Sequence, residues 1–334
     1  MIYARQLGQA LEQRLSADER VVLLGEDIAD PYGGAFKVTK GLSSAFPERV
    51  RTTPISEAAI IGVASGLALA GYRPIVEIMF GDFLSLCFDQ VLNHIAKYEA
   101  MYDGKASCPV TIRTPSGGGR GYGPTHSQSL EKHFLGIPHL RVFAASLLHD
   151  PSDLLTQIIA AGRPALHIEH KLLYPLEPLD RATMLGSVLD IGGGEAGPPT
   201  VSIRQVDRQS CAATVIAYGY QAELARRVQE RLALEEELFV ELLIPAQLSP
   251  LDFAPIEASA GVTGSLLTVE EGTAGWSWGT EIAAEMSRRL FGALRAPVAV
   301  LTSPSDVIPA ATRREREMLV GEAAIEQAIR QAAR

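Results

Sequence analysis

The sequence predicts an α/β protein made of two open, doubly wound domains. Three observations lead there. Apolar runs of strand length alternate with helix-length segments through most of the 334 residues. Several of those runs are apolar throughout rather than at every second position, which is how strands covered on both faces read. The alternation breaks once, over 179–208, where proline and glycine accumulate without period, and then resumes.

The elements follow in order. "MIYARQLGQALEQRL" at the start is an amphipathic helix. "RVVLLGED" (20–27) reads as a buried parallel strand whose carboxyl end opens into the turn-rich "IADPYGGAFKVTKGL". Residues 57–71 form a small-residue helix that Gly71 ends. "YRPIVEIMF" (72–80) is the next strand, and 83–102 reads as one long helix. "PVTIRTP" (109–115) is a strand emptying into "SGGGRGYGPTHSQS". "HLRVFAA" (139–145) and "PALHIEH" (164–170) are strands flanking a helix over 151–162. The first domain therefore spans 1–178, and 179–208 reads as a linker. Within 209–334, strands over 212–219, 238–245, 264–272 and 296–304 alternate with helices over 221–234 and 279–291, and the tail is a last helix.

Composition narrows the function. Hydrophobic residues make up 47% and charged residues 21%, an ordinary globular balance. A net charge of −9 disfavours a nucleic-acid surface, which needs a basic face. The three cysteines, Cys87, Cys108 and Cys211, are far apart and form no Cys-x-x-Cys pair, so they read as buried free thiols of a reducing cytoplasm. The N-terminus lacks a basic-then-apolar leader, and no apolar run reaches the ~20 residues that span a bilayer. A cytoplasmic protein without a membrane or nucleic-acid partner is the expectation. The seven histidines show no metal spacing; His167 and His170 stand three apart on a strand and so point to opposite faces. No metal site is expected on this chain.

In open α/β sheets, ligands sit beyond the carboxyl ends of the strands. Three polar features fall there: "GED" with Glu26 and Asp27, "TPISE" before the apolar helix, and the glycine-rich loop with His126. Glu57 has two readings. A carboxylate at a helix N-terminus is favoured by the macrodipole, with Ser56 as cap. Alternatively, apolar neighbours desolvate it and poise it for proton exchange with a ligand. "GGGRGYGPTHSQS" has neither the Gly-Lys-Ser/Thr ending of a P-loop nor Rossmann spacing, so its glycines mark close backbone approach or mobility. His126 on such a loop is a candidate for catalysis. Trp276 and Trp278 share one loop, either as a packing plug or as the wall of a substrate or subunit surface.

These residues in combination resemble a family. "VVLLGEDIADPYGGAFKVTKGL", "TPISEAAIIGVASGLALAGYRPIVEIMF", "DQVLNHIAK", "RTPSGGG", "GPTHSQS", "IEHKLLYP", "LSPLD" and "VEEG…GTEIAAEM" are similar to the β subunit of the thiamine-diphosphate-dependent 2-oxo acid dehydrogenases, of pyruvate, branched-chain and acetoin type. The resemblance covers nearly the whole chain. It implies a transketolase-like pyrimidine-binding domain followed by a transketolase C-terminal-type domain. It implies that Glu57 hydrogen-bonds the ring nitrogen of the cofactor's aminopyrimidine and that Phe83 stacks on that ring. Ile55 and Glu26 would complete the cofactor contact, and His126 would exchange a proton with the substrate oxygen or the acyl acceptor. The reaction implied is decarboxylation of a 2-oxo acid and transfer of the acyl unit to a lipoyl group, with carboligation or a non-catalytic partner role as alternatives.

The family's "GDG…N" segment, which holds diphosphate and Mg2+ on the α subunit, is missing here. A partner α subunit is therefore implied; the resemblance adds an α2β2 heterotetramer and, for the dehydrogenase reaction, a lipoyl acyltransferase. Departures from the family pattern fall at Leu86, Gly136, "PHL" (138–140), "AAGRPA" (160–165), "PAATRRERE" (309–317) and the tryptophan loop. They leave the candidate cofactor residues unaltered and fall at substrate, acceptor and subunit surfaces. A specialised branch is the hypothesis, with transfer to an acceptor other than the lipoyl arm as the alternative to the dehydrogenase reaction.

Overall fold

A computed structural model of the chain describes residues 1–193 and 197–334. It divides into two compact units, Met1–Ser116 with His133–Pro178 and Gly117–Lys132 with Leu179–Arg334. The second unit thus includes a stretch, the glycine-rich loop, that sequence order would place in the first.

In the first unit, β1 (Val21–Gly25), β2 (Val50–Thr52), β3 (Arg73–Glu77), β4 (Thr111–Ser116), β5 (Arg141–Ala144) and β6 (Ala165–His170) stand in the order β5-β6-β4-β3-β1-β2. Every pairing among them is parallel. The residues of β1, β4 and β6 are buried without exception. Helix α1 (Tyr3–Ala17) seats Tyr3, Leu7, Leu11 and Leu15 on this core, a stripe at four-residue spacing along one face of the amphipathic helix. Helix α2 (Glu57–Leu69) buries Glu57, Ile60, Ile61, Ala64, Ser65 and Ala68.

The long helix expected over 83–102 is three shorter pieces: a tight 3-10 segment Gly81–Cys87, a wide π turn Gln90–Ile95, and a single α turn Tyr98–Met101. Ser85 Oγ donates to the Asp82 carbonyl at 2.9 Å, and the Cys87 thiol lies 3.4 Å from the Leu84 carbonyl. These three-residue contacts belong to a 3-10 turn, and side-chain patterning at 3.6 residues cannot reveal them.

In the second unit, β7 (Ser187–Ile191), β8 (Thr200–Arg204), β9 (Ala213–Ala217), β10 (Val240–Ile244), β11 (Leu266–Thr273) and β12 (Ala299–Ser303) form a sheet ordered β12-β11-β9-β10-β8-β7. Four strands are parallel, whereas β8 and β7 run antiparallel to their neighbours. The sheet is therefore mixed. Composition suggests a linker over 179–208, of which residues 194–196 lie outside the described residues; β7 and β8 stand on either side of them. The short strands carry too little apolar sequence to stand out from the glycine and proline around them. Helices α3 (Gly219–Glu236), α4 (Ala254–Thr263), α5 (Trp278–Arg289), α6 (Thr312–Met318) and α7 (Glu322–Ala332) belong to this unit.

Candidate functional site

In the first unit, β1 and β2 are neighbours and both end at the same edge of the sheet. Gly25 closes β1 in a tight spot: a Cβ there would lie 2.8 Å from the Glu77 carbonyl oxygen and 3.0 Å from Ile28. The Thr53 amide donates to the Gly25 carbonyl at 3.0 Å, which ties the start of "TPISE" to the end of β1. Glu26 follows the one strand and Glu57 the other, and only about 4% and 5% of each residue is exposed.

Glu26 feels the charge of Glu57. Burial raises the Glu26 pKa above the ordinary carboxylate range; the charges of Glu57 and Asp27 add to that, and the Ser56 amide, donating to Glu26, opposes it. One oxygen of Glu26, Oε1, is buried with no hydrogen-bond partner. Such an acceptor is costly to leave empty, and it suits a ligand that brings an N–H. Glu57 is the first residue of α2, and Ser56 makes no side-chain cap. The backbone at Ser56, φ −168°, is extended, so the chain enters the helix without the usual oxygen over its amides.

Helix α2 packs against the 3-10 segment that carries Phe83 and Cys87. Burial pushes the Cys87 thiol up to about 12, and the Glu57 charge adds to the rise, so this segment stands close to Glu57. Phe83 is half-buried and meets Phe80 edge to face, 5.7 Å between centroids. Phe80 meets Phe36 at 5.9 Å, and Phe36 meets Tyr174 at 5.1 Å. Ile55 lies with 83% of its surface exposed, and Leu86 with 59%. Glu26, Glu57 and the Phe83 segment are thus brought together, and Ile55 offers a bare apolar side chain at the same strand end.

Behind this edge, β3, β4 and β6 hold a buried Glu77–Arg113–Glu169 network. Arg113 Nε donates to Glu169 Oε1 at 2.9 Å, its terminal nitrogens reach Glu169 and Glu77, and the Tyr174 hydroxyl donates to Glu169 Oε2 at 2.6 Å. Burial alone would raise Glu169, but Arg113 and His167 outweigh it and hold the carboxyl at about 2. This cation, buried between two strands' carboxylates, is what allows charged residues inside the sheet.

His126 belongs to the second unit, on the loop 117–129. Thr125 Oγ1 lies 3.0 Å from His126 Nδ1, and the His126 amide donates to the Gly123 carbonyl. Four carboxylates in this unit escape notice in the sequence. Glu131 is buried, accepts the Tyr218 hydroxyl at 2.6 Å on Oε1, and leaves Oε2 without a partner. Glu270 accepts the amides of Trp278 and Gly279 at the start of α5. Glu271 and Glu315 accept amides of the glycine-rich loop. The signal available in the sequence is the acidic pair inside the apolar run "LLTVEEG", where a strand core has no use for charge unless it is paired.

The two tryptophans part company. Trp278 opens α5, is buried, and meets Tyr218 edge to face at 4.9 Å; Trp276 is 94% exposed with φ +53°. The three cysteines are buried and free. Among the described residues, no helix is long and apolar enough to cross a membrane.

Comparison with known proteins covers both units. The model of the transketolase pyrimidine-binding domain matches residues 1–177, and that of the transketolase C-terminal domain matches 204–325. The chain is 35% identical over 312 residues to the β subunit of acetoin:2,6-dichlorophenolindophenol oxidoreductase of Cupriavidus necator, covering 91% of this chain and 88% of that one. It is 36% identical over 293 residues to the pyruvate dehydrogenase E1 component subunit β of Leifsonia xyli, covering 87% and 83%. Among solved structures, a split-gene transketolase in an inactive β4 tetramer superposes with a TM-score of 0.71 at 20% identity, over 100% of this chain and 99% of that one.

Proposed function

The chain belongs to the β-subunit family of the 2-oxo acid dehydrogenases, whose two domains are of transketolase type, and on that premise we propose that it is the β component of a thiamine-diphosphate-dependent enzyme. The reaction is decarboxylation of a 2-oxo acid, followed by transfer of the acyl unit to a lipoyl group. The observation that carries this reading is the pair of buried glutamates at the ends of β1 and β2, one with an orphaned oxygen.

An aminopyrimidine fits that pair. It offers an amine N–H and a basic ring nitrogen, and the site offers a buried acceptor and a second carboxyl to share a proton. When bound, the cofactor supplies an electron sink for the carbon–carbon cleavage. The chain's own residues do the rest. Glu57 would hold the ring nitrogen and exchange its proton, with the buried face of α2 keeping water away. Glu26, whose Oε1 has no partner, would accept from the amine. Phe83 and Ile55 would bound the ring with apolar surface. His126 exchanges a proton with the substrate oxygen or the acyl acceptor.

Diphosphate and Mg2+ fall to a partner α subunit, because this sequence has no Gly-Asp-Gly segment to hold them. The active species is then an α/β assembly, α2β2 by the family resemblance. From the sequence we take the pyrimidine-binding domain as 1–178 and the C-terminal-type domain as 209–334, with β7 and β8 of the intervening 179–208 added to the second sheet.

The test is release of carbon dioxide from 2-oxo acids by the co-purified pair with Mg2+ and thiamine diphosphate. The pair turns over and the isolated chain is silent. Full activity of the isolated chain would refute the divided cofactor site. Decarboxylation without acylation of a lipoyl domain would replace the dehydrogenase by a carboligase.

A further inference from the structure

The loop that bears His126 is held by carboxylates that bind its own backbone. Glu271 Oε1 accepts the Gly118 amide at 2.8 Å and the Ser129 hydroxyl at 2.9 Å, so one oxygen bridges the two ends of the loop. The Gly117 amide donates to the Gln128 carbonyl at 3.2 Å across the same neck. Further along, Glu315 Oε2 on α6 accepts the Gly121 amide at 2.7 Å.

Glu315 is an odd residue to find here. It is fully buried, its Oε1 has no hydrogen-bond partner, and among the described residues it pairs with no cation. The sequence around it, "TRREREM", reads as a solvated helix. A buried carboxylate without a cation is expensive, and the partner that it has is the loop.

The glycines make the approach possible. A Cβ on Gly118 would stand 2.5 Å from Leu319 Cδ1 and 3.3 Å from Glu315 Oε1. On Gly121, at φ +72°, it would stand 2.7 Å from Thr312 Oγ1, and on Gly123 it would stand 3.3 Å from Ala310 Cβ. The loop therefore lies flat on 310–319, which overlaps the stretch 309–317 that departs from the family pattern. Close backbone approach, not mobility, explains why it is rich in glycine.

We propose that Glu315 is a positioning residue for His126: its carboxylate pins Gly121 and with it the arm of the loop leading to the imidazole, while Glu271 ties the neck. The proposal rests on the reading of His126 as the residue that exchanges a proton with the substrate oxygen or the acyl acceptor.

The peptide bond next to the pinned amide, Arg120–Gly121, is a tryptic site on an exposed residue. Limited trypsin digestion of the full chain therefore reads the tether without any activity. Glu315→Ala removes a charge-assisted hydrogen bond, and cleavage after Arg120 rises by about tenfold or more. Glu315→Gln retains an acceptor oxygen and stays within about threefold of wild type. Gly121→Ala, which pushes the loop off from its own side, reproduces the faster cleavage. Cleavage after the exposed Arg288 on α5 serves as the control and does not change.

In the assembled pair, Glu315→Ala lowers kcat with the KM for the 2-oxo acid unaltered, and Glu315→Gln restores it. Unchanged cleavage after Arg120 in Glu315→Ala, or cleavage after Arg288 rising in step, would overturn the proposal. A His126→Ala pair turning over at the wild-type rate would instead remove the reading of His126, leaving the tether to stand on the digestion.

Discussion

Glu131 follows the His126 loop, and its charge has a measurable stability cost. Burial lifts its pKa from 4.5 to about 7; the Tyr218 hydroxyl and a backbone bond oppose the rise, and the charges of Glu270 and Glu271 reinforce it. Because the folded value lies above the unfolded one, the folded chain keeps a proton that the unfolded chain releases. Stability from this group is complete below pH ~4.5, declines as the pH rises to ~7, and is level beyond. The difference, 7 − 4.5 = 2.5 units, at ~1.36 kcal/mol per unit, is roughly 3 kcal/mol. Glu131→Gln retains an acceptor for Tyr218 and cannot titrate. Urea unfolding of both proteins, compared at each pH so that the other groups cancel, is the assay. At pH ~4.5 the two agree within about 0.5 kcal/mol, and at pH ~8 the variant is more stable by roughly 3 kcal/mol. A difference that does not vary with pH would show that Glu131 ionises normally and that its burial carries no proton.

Two other perturbations separate paired from unpaired groups. Arg113→Met leaves Glu77 and Glu169 buried without their cation, and thermal denaturation should show a loss of about 3–5 kcal/mol. Trp278→Ala empties a buried site against Tyr218 and costs about 3–5 kcal/mol, whereas Trp276→Ala, on a residue 94% exposed, stays within about 0.5 kcal/mol of wild type. Equal losses for the two tryptophans would refute the division between core and surface.

The strands that position the candidate site were legible because burial on both faces writes an unbroken apolar run. "VVLLG" is such a run and lies in the sheet as read. The charged members of that sheet were not, since Arg113 and Glu169 are 56 positions apart in sequence and become partners only when β4 and β6 align. The pairing of β7 and β8 was hidden because both strands are short and carry little apolar sequence. The 83–102 segment shows the limit of periodicity: its apolar residues suit a helix, but hydroxyl and thiol contacts three residues back tighten its first turns. Glu57 could be singled out because its helix is otherwise uncharged; Glu315 could not, because arginines surround it in sequence and its partner is a backbone amide 194 positions away. Side chains that bind backbone leave no pattern in a single sequence.

The central claim is that the buried Glu57 holds and exchanges the proton of the cofactor's pyrimidine. The most direct measurement is carbon dioxide release from a 2-oxo acid by the α/β pair carrying Glu57→Gln, at saturating thiamine diphosphate and Mg2+. Gln is isosteric but lacks the carboxyl that takes and returns the proton, and the account predicts a fall in kcat of about 10²- to 10⁴-fold. Turnover at the wild-type rate would contradict it and would return Glu57 to the part of a helix N-terminal charge.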